Sequence, residues 1–242
     1  MNQLTDRLQL IADMICEGET MADVGTDHGF LPLYLISKGI CPYVVMTDVS
    51  EPSLNKAVTA AEEYGIHNGT SFRHGDGLNV LEAGEVDDVV IAGMGGILIS
   101  QIMGEDLPKS MSYRKFILQP RNNAGYLRHW LCAHGFDIKK NALVREGKFI
   151  CEIILAIPGK DRDTLNLSLA DAIASEDDPS WEMPANMREG DPGLCAEYAG
   201  LKIRQERDIL RGLEMSKAPD ACRIDHSKEK IDYFRRFLDD EV

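Results

Sequence analysis

Membrane-spanning and secretory signals are missing from this 242-residue sequence. No apolar run approaches the roughly 20 residues that a transmembrane helix needs, and the first residues lack a basic region followed by an apolar stretch. Closely spaced cysteine pairs are missing too, because the six cysteines are scattered and form no C-x-x-C motif. We therefore expect a cytoplasmic protein without membrane contact, without structural disulfides and without a bound metal.

Positive charge is scarce, since the formal net charge is −14. Such an acidic chain repels polyanions as a whole, because phosphate binding needs clustered lysine and arginine side chains. The charge is unevenly distributed, however. Residues 109–148 contain nine basic and two acidic residues, a local balance of +7, which leaves −21 for the rest of the chain. This basic segment is compatible with chance clustering on a solvated face or with a phosphate-binding patch.

Apolar periodicity predicts alternating strands and helices over the first 160 residues. The predicted strands are residues 20–25, 43–48, 70–74, 88–92, 115–119, 136–144 and 149–157, and the predicted helices are about 4–15, 29–38, 50–64, a segment after 96, and 124–134. Strands that alternate with helices pair in parallel, whereas the last two are joined by a short turn and should pair antiparallel. We predict an α/β, Rossmann-like class I methyltransferase fold, with a mostly parallel seven-stranded sheet that ends in an antiparallel hairpin.

The composition changes after residue 160. Residues 176–193 are rich in proline, glycine and aspartate and predict an irregular loop. Two helical segments, at about 194–215 and 224–239, follow it, with a break at 217–220 between them. We therefore predict two domains: residues 1–160, and a C-terminal helical subdomain of residues 161–242 that contains an antiparallel helix pair.

The loop from Asp23 to Gly29 carries the main functional signal. Its sequence, Asp-Val-Gly-Thr-Asp-His-Gly, lacks the Gly-x-Gly-x-x-Gly pattern that cradles a dinucleotide pyrophosphate. It fits the acidic-x-Gly-x-Gly-x-Gly loop of methyltransferases, with Asp27 in place of the middle glycine. S-adenosylmethionine has no phosphate and carries an ammonium and a sulfonium, which the carboxylates of Asp23 and Asp27 suit. We therefore predict S-adenosylmethionine as the cofactor.

Three more loops follow later strands, at the edge where open parallel sheets bind ligands. Asp48 ends the second strand and is expected to accept both ribose hydroxyls of an adenosine. Asp76, flanked by glycines, could reach the adenine amino group, and the small residues at 92–96 would let a substrate lie close to the methyl donor. The predicted donor contacts are Asp23, Gly25, Thr26, Asp27, His28, Asp48, Val49, Asp76, Gly77, Ala92, Gly93 and Met94.

Several blocks of the sequence resemble the bacterial tRNA (adenine-22-N1)-methyltransferases, the TrmK family. The matching residues are Arg7-Leu8, Ile11-Ala12, 23–32, 75–78, 91–96, 117–120, Lys148 and Glu152. The resemblance spans roughly residues 1–159 and departs at Arg121, where asparagine is expected directly after Pro120. It implies a class I fold, S-adenosylmethionine as donor, and N1 of an adenine in the tRNA D-arm as acceptor.

The implied reaction needs little acid–base chemistry, because neutral adenine N1 already has a lone pair. Asp27 is the predicted catalytic residue, since a carboxylate could stabilise the cationic product or accept an N6 proton, and His28 is a weaker candidate for substrate contact. The predicted RNA-binding residues are Arg7, His28, Gly95, Gln119, Pro120, Arg121, Arg128, Lys139 and Lys140. We expect a monomer or a weak homodimer that binds tRNA.

Two other classes of function remain open at this point. A methyltransferase that acts on a small molecule or a protein would fit the acidic surface but would leave the basic segment unexplained. A non-catalytic nucleotide- or RNA-binding module with the same fold would bind the donor without turnover. A nicotinamide-dependent dehydrogenase is disfavoured by the missing glycine pattern.

Overall fold

The computed structural model describes residues 3–159, 175–216 and 218–238. The strands are β1 (Met21–Val24), β2 (Val44–Asp48), β3 (Thr70–His74), β4 (Asp88–Met94), β5 (Lys115–Pro120), β6 (Phe136–Glu146) and β7 (Phe149–Pro158). The helices are α1 (Asp6–Ala12), α2 (Phe30–Ser37), α3 (Glu51–Glu63), α4 (Gly96–Glu105), α5 (Leu107–Ser110), α6 (Ala124–Ala133), α7 (Pro192–Glu214) and α8 (Ala221–Arg235). No helix in the described part of the chain is long and apolar enough to cross a membrane.

The seven strands form one sheet in the order β3-β2-β1-β4-β5-β7-β6. Strands β1 to β5 pair in parallel, whereas β7 pairs antiparallel with both β5 and β6. This confirms the predicted α/β architecture with its terminal antiparallel hairpin. The strand order reverses between β1 and β4, and such a reversal opens a crevice at the carboxyl ends of the strands.

Two apolar cores lie on the two faces of the sheet. Helices α1, α2 and α3 pack on one face, and α4 and α6 pack on the other. Strand β4 contributes to both cores, since Val89 and Ile91 face one and Val90 faces the other. A strand that is buried on both faces forms a continuous apolar run in the sequence, and residues 89–92 of β4 are such a run.

Helix boundaries follow the capping residues. Ser50 caps α3, where its hydroxyl accepts a hydrogen bond from Ser53 N at 3.4 Å. Asp220 caps α8 by accepting from Arg223 N at 3.2 Å, so this helix begins three residues before the predicted start. The short helix α5 was not predicted, because its four residues carry too little periodicity to be recognised.

The chain divides into two compact units, residues 1–173 and 174–242. The predicted boundary at residue 160 lies outside the described residues. In the second unit α7 packs on α8, and two 3-10 helices, Pro179–Trp181 and Ala185–Glu189, replace part of the predicted irregular loop. Tyr233 Oη donates a hydrogen bond to Met183 O at 2.8 Å and ties that segment to α8.

Candidate functional site

A cavity of about 550 Å³ opens at the carboxyl ends of the strands, where the strand order reverses. The structure brings all of the predicted donor contacts to its wall: Asp23, Gly25, Thr26, Asp27, His28, Asp48, Val49, Asp76, Gly77, Ala92, Gly93 and Met94. They come from the carboxyl ends of β1, β2 and β4 and from the loops that follow β1, β2 and β3. Their contact with a donor stays a prediction. The structure nevertheless brings residues as far apart in sequence as Asp23 and Met94 to the wall of one cavity.

The loop after β1 turns through three residues in the left-handed region. Gly25 has φ +77°, Asp27 has φ +47° and Gly29 has φ +67°. These are the three glycine positions of the methyltransferase pattern, and aspartate is one of the few other residues that visits this region. Gly25 is further restricted, because a Cβ there would lie 2.4 Å from Met94 Cε. The backbone of this loop therefore follows the glycine pattern although Asp27 is not a glycine.

Asp23 is a buried carboxylate at the wall of the cavity. Its Oδ2 accepts a hydrogen bond from Thr26 Oγ1 at 2.7 Å. Burial raises the pKa of Asp23 to about 6, although the Thr26 hydroxyl and the nearby charge of Arg7 act in the opposite direction. A carboxylate that has lost water without full compensation gains from a cationic ligand, so Asp23 fits the ammonium of an amino acid.

Asp48 orders the loops on either side of it. Its Oδ1 accepts from Ser50 N at 2.8 Å, and its Oδ2 accepts from Asp27 N at 3.2 Å. Asp48 thus lies at the end of β2 with its side chain at the cavity wall, as expected for a carboxylate that binds ribose hydroxyls. Asp76 is exposed at the same wall, in the loop after β3.

The carboxylate of Asp27 is already engaged. Lys56 Nζ donates to Asp27 Oδ1 at 2.8 Å, and His28 Nε2 lies 3.6 Å from Oδ2. The hydrogen bond from Lys56 lowers the pKa of Asp27, and about half of the side chain is exposed. Asp27 is therefore a weak proton acceptor, and its clearest contribution is the backbone turn and the N–H bond to Asp48.

Gln119 and Pro120 were predicted to contact RNA, and the structure contradicts both predictions. Both residues are buried at the end of β5. Gln119 Oε1 accepts from Gly93 N at 3.0 Å and from Arg7 Nη1 at 3.3 Å, while its Nε2 donates to Pro120 O at 3.1 Å. Because buried amides keep such partners, Gln119 fixes the carboxyl end of β4 at Gly93 instead of contacting RNA.

Arg7 lies at the cavity wall, although it was predicted as a phosphate contact. Its Nε donates to Glu146 Oε2 at 2.6 Å, in addition to the bond to Gln119. The guanidinium therefore ties α1 to the β6–β7 turn and to β5. Arg7 therefore contacts Gln119, the residue that holds Gly93 at the cavity wall.

Arg128 was predicted to bind phosphate, and this prediction is wrong. Its side chain is fully buried between α6 and the terminal hairpin. Its Nε donates to Asn141 Oδ1 at 2.7 Å, and its Nη2 pairs with the carboxylate of Glu152. An ion pair of this kind is a structural element, because removal of one partner would leave a buried charge.

The basic segment 109–148 is not a single patch. Lys115 pairs with Glu19 and with Asp88 Oδ2, the latter at 3.0 Å, near the amino ends of the strands. Arg114 pairs with Asp87 at 3.3 Å. Lys139 and Lys140 are exposed on the edge strand β6 and do not line the cavity. The charge balance counted in the sequence therefore overstates the basic surface.

The glycines at 95 and 96 serve packing more than substrate access. A Cβ at Gly96 would lie 2.3 Å from Asn123 O, and one at Gly95 would lie 2.9 Å from Asn122 Oδ1. Gly95 was predicted to contact substrate, but it is not part of the cavity wall. Both residues let α4 begin directly against the loop after β5, which brings that loop to the cavity.

The sequence of this chain is similar to known methyltransferases. The Methyltransferase domain family matches residues 4–154. A curated relative, tRNA (adenine(22)-N(1))-methyltransferase of Bacillus subtilis, is 34% identical over 161 residues, which are 66% of this chain and 67% of that protein. The chain belongs to the tRNA (adenine(22)-N(1))-methyltransferase family.

Solved structures of this family share the fold. Sp1610 from Streptococcus pneumoniae, in complex with S-adenosyl-L-methionine, is 26% identical with a TM-score of 0.76, over 98% of this chain and 100% of that chain. The B. subtilis M1A22 tRNA methyltransferase TrmK has a TM-score of 0.76 at 24% identity, over 98% and 99% of the two chains. The second comparison supports the fold alone.

Sequence reasoning missed several residues that line the cavity of this family member: Thr5, Leu8, Val24, Phe30, Leu31, Thr47, Gly75, Leu98 and Ile102. Phe30 and Leu98 are the informative ones, because they are large apolar residues left about half exposed. Phe30 directly follows the loop 23–29 and Leu98 lies two residues after Gly96, and these positions were the available signal. Within residues 3–159, 175–216 and 218–238, no cluster of acidic, His or Cys side chains is arranged to hold a metal ion.

Proposed function

We propose that the chain transfers a methyl group from S-adenosylmethionine to N1 of the adenine at position 22 of tRNA. The observation that carries the proposal is the cavity. Its wall includes the buried carboxylate of Asp23 at the end of β1 and the carboxylate of Asp48 at the end of β2. The family match over residues 4–154 includes every residue that lines this cavity, and the B. subtilis relative is named a tRNA (adenine(22)-N(1))-methyltransferase.

The residues of the cavity fit S-adenosylmethionine, which supplies an activated methyl group when bound. Asp23 would hold the ammonium of the methionine part, Asp48 the ribose hydroxyls, and Asp76 the adenine amino group. Gly25 leaves space that a Cβ would fill, and Gly93 N–H is fixed by Gln119. These residues bind and orient the donor, and the buried wall excludes water from one side of it.

Methyl transfer to adenine N1 depends more on alignment of the base with the donor than on a general base. Adenine N1 carries a lone pair, so holding it in line with the methyl carbon can supply on the order of 7–11 kcal/mol of the barrier. The ion pair with Lys56 leaves the Asp27 carboxylate poorly suited to accept a proton but able to stabilise the cationic product through its charge. The negative charges of Asp23, Asp27 and Asp48 act in the same direction.

We assign RNA contacts to three exposed cations. Arg121 lines the cavity directly after β5, and Lys139 and Lys140 lie exposed on β6, where Lys139 Nζ also pairs with Asp137 Oδ2 at 3.1 Å. N1 lies on the pairing edge of adenine, so the base must leave its helix at a cost of a few kcal/mol. Phosphate contacts around the base would offset part of that cost, and they predict tRNA binding that weakens with salt.

The decisive experiment is incubation with labelled donor and unmodified tRNA, followed by mapping of the methylated base. We expect one methyl group at N1 of position 22, and no transfer to a tRNA with guanine there. Asp48→Ala should lose donor affinity in calorimetry without loss of the fold. Labelling of a protein or small molecule instead of tRNA would refute the proposal, and donor binding without any turnover would favour a binding module.

Sedimentation of the same protein tests the predicted monomer or weak homodimer.

A further inference from the structure

Large apolar side chains are exposed around the mouth of the donor cavity. Nine of the described residues are large hydrophobics with substantial exposure, and Phe30, Val49 and Leu98 among them line this single cavity. Ile97 adjoins Leu98 and is 44% exposed. Isolated exposed apolar residues need no explanation, but several around one cavity indicate a surface that a ligand covers.

Phe30 and Leu98 flank the mouth from opposite sides. Phe30 is the first residue of α2, which packs on one face of the sheet, and Leu98 lies in the first turn of α4, on the other face. These helices follow β1 and β4, the neighbouring strands between which the order reverses. Val49 adjoins Asp48 at the end of β2, on the side assigned to the adenosine of the donor.

The ring of Phe30 stacks on the ring of His28. The two rings are stacked, with centroids 5.2 Å apart and planes 4° from parallel. Both side chains are about half exposed, so a face or an edge of this pair is open to a ligand. A flat aromatic surface beside an aliphatic side chain is the surface on which proteins bind unstacked nucleobases.

A cation lies at the wall of the same cavity as Phe30 and Leu98. Arg121 lines the same cavity, and its Nη2 would be 3.5 Å from a Cβ at Gly93. Its backbone N–H donates to Met94 O at 2.7 Å, which fixes the residue beside the end of β4. Among the residues that the structure describes, no carboxylate pairs with Arg121, in contrast to Arg7, so its charge is available to a phosphate.

We propose that Phe30 and Leu98 form a clamp that holds the acceptor adenine, unstacked from its RNA neighbours, against the donor cavity, while Arg121 binds a flanking phosphate. The proposal rests on the proposed function and assigns substrate contacts within it. A nucleotide is the occupant that matches a flat apolar slot beside a free cation, because it offers a planar base joined to an anion. The clamp provides the stacking that the base loses when it leaves its helix.

The test measures methyl transfer to tRNA by Phe30→Ala and Leu98→Ala, together with the donor dissociation constant of each variant. We expect kcat/KM for tRNA to fall roughly tenfold to a hundredfold, or about 1.4–2.8 kcal/mol at 1.4 kcal/mol per tenfold. Donor affinity and melting temperature should stay within twofold and about 2 °C of the unchanged protein, because a single exposed side chain contributes little to the fold. Phe30→Tyr should restore activity, since it keeps the ring.

Tyr64→Ala is the matched control, because Tyr64 is an exposed aromatic residue at the end of α3 and does not line the cavity. It should leave kcat/KM unchanged. If both clamp variants keep kcat/KM within twofold, the clamp is refuted. It is also refuted if donor affinity falls by the same factor as kcat/KM, because the residues would then cover the donor. Failure of the unchanged protein to methylate tRNA would instead refute the proposed function.

Discussion

Donor affinity should depend on pH through Asp23. The carboxyl group is buried at the cavity wall, and its pKa is raised to about 6. Only the ionised form attracts the donor ammonium. At pH 7 about nine tenths of the group is ionised and at pH 5 about one tenth, so affinity should fall about tenfold, or roughly 1.4 kcal/mol, between them.

Ionisation of Asp23 strengthens donor binding but lowers the stability of the protein without donor. Because its folded pKa lies above the unfolded value, the folded state binds more protons between about pH 4 and 6, and stability falls as the pH rises through this range. Asp23→Asn should therefore raise the stability of the empty protein at pH 8 by up to about 3 kcal/mol. It should also weaken donor binding, since the attraction to the ammonium is lost.

Calorimetric titration with donor at pH 5, 6 and 7 measures the first effect, and thermal melts of both proteins measure the second. His28→Asn is the control, because His28 lines the same cavity, and this variant should keep the pH dependence. A donor affinity that is constant from pH 5 to 7, or one that keeps its pH dependence in Asp23→Asn, would show that the ammonium does not bind there.

Four further substitutions test other parts of the structure. Arg128→Ala should cost about 3–5 kcal/mol in denaturant unfolding, because it strands a buried carboxylate; a loss of tRNA affinity with stability intact would contradict this. Asp27→Asn should keep methyl transfer within a few-fold in a rate assay, since asparagine also tolerates positive φ. Gly25→Ala should weaken donor binding in calorimetry, because the left-handed backbone costs about 1–2 kcal/mol and the new Cβ displaces a methionine in the wall. Charge reversal at Lys139 and Lys140 should lower tRNA affinity and its salt dependence while donor affinity stays unchanged.

The sheet and the donor loops could be predicted because each has a local sequence cause. Buried strands such as β4 are continuous apolar runs, and the turn at Gly25 needs residues that accept positive φ. The roles of Arg128 and Gln119 could not be predicted, because a charged or amide side chain looks the same in the sequence whether it is solvated or buried. Burial depends on partners such as Glu152, which lies 24 residues from Arg128.

The same limit applies to the apolar mouth of the cavity. Phe30 follows the loop 23–29 and begins α2, where an apolar residue is expected to be buried. Its side chain is nevertheless about half exposed. Its exposure results from where α2 begins relative to the sheet, which a one-dimensional pattern does not contain. Residue types at strand ends therefore predicted residues that line one cavity, whereas side-chain exposure was needed to locate candidates for acceptor binding.

The bond between Arg7 and Glu146 joins residues 139 positions apart across the wall of the cavity. During synthesis, the loops that surround the cavity are all made before the hairpin that carries Glu146. A nascent chain that ends before residue 146 therefore lacks the carboxylate that anchors Arg7, whose Nη1 donates to Gln119, the side chain that accepts from Gly93 N. Donor capture should accordingly begin only once the terminal hairpin has paired, so that ligand binding selects fully folded molecules and stabilises them by mass action.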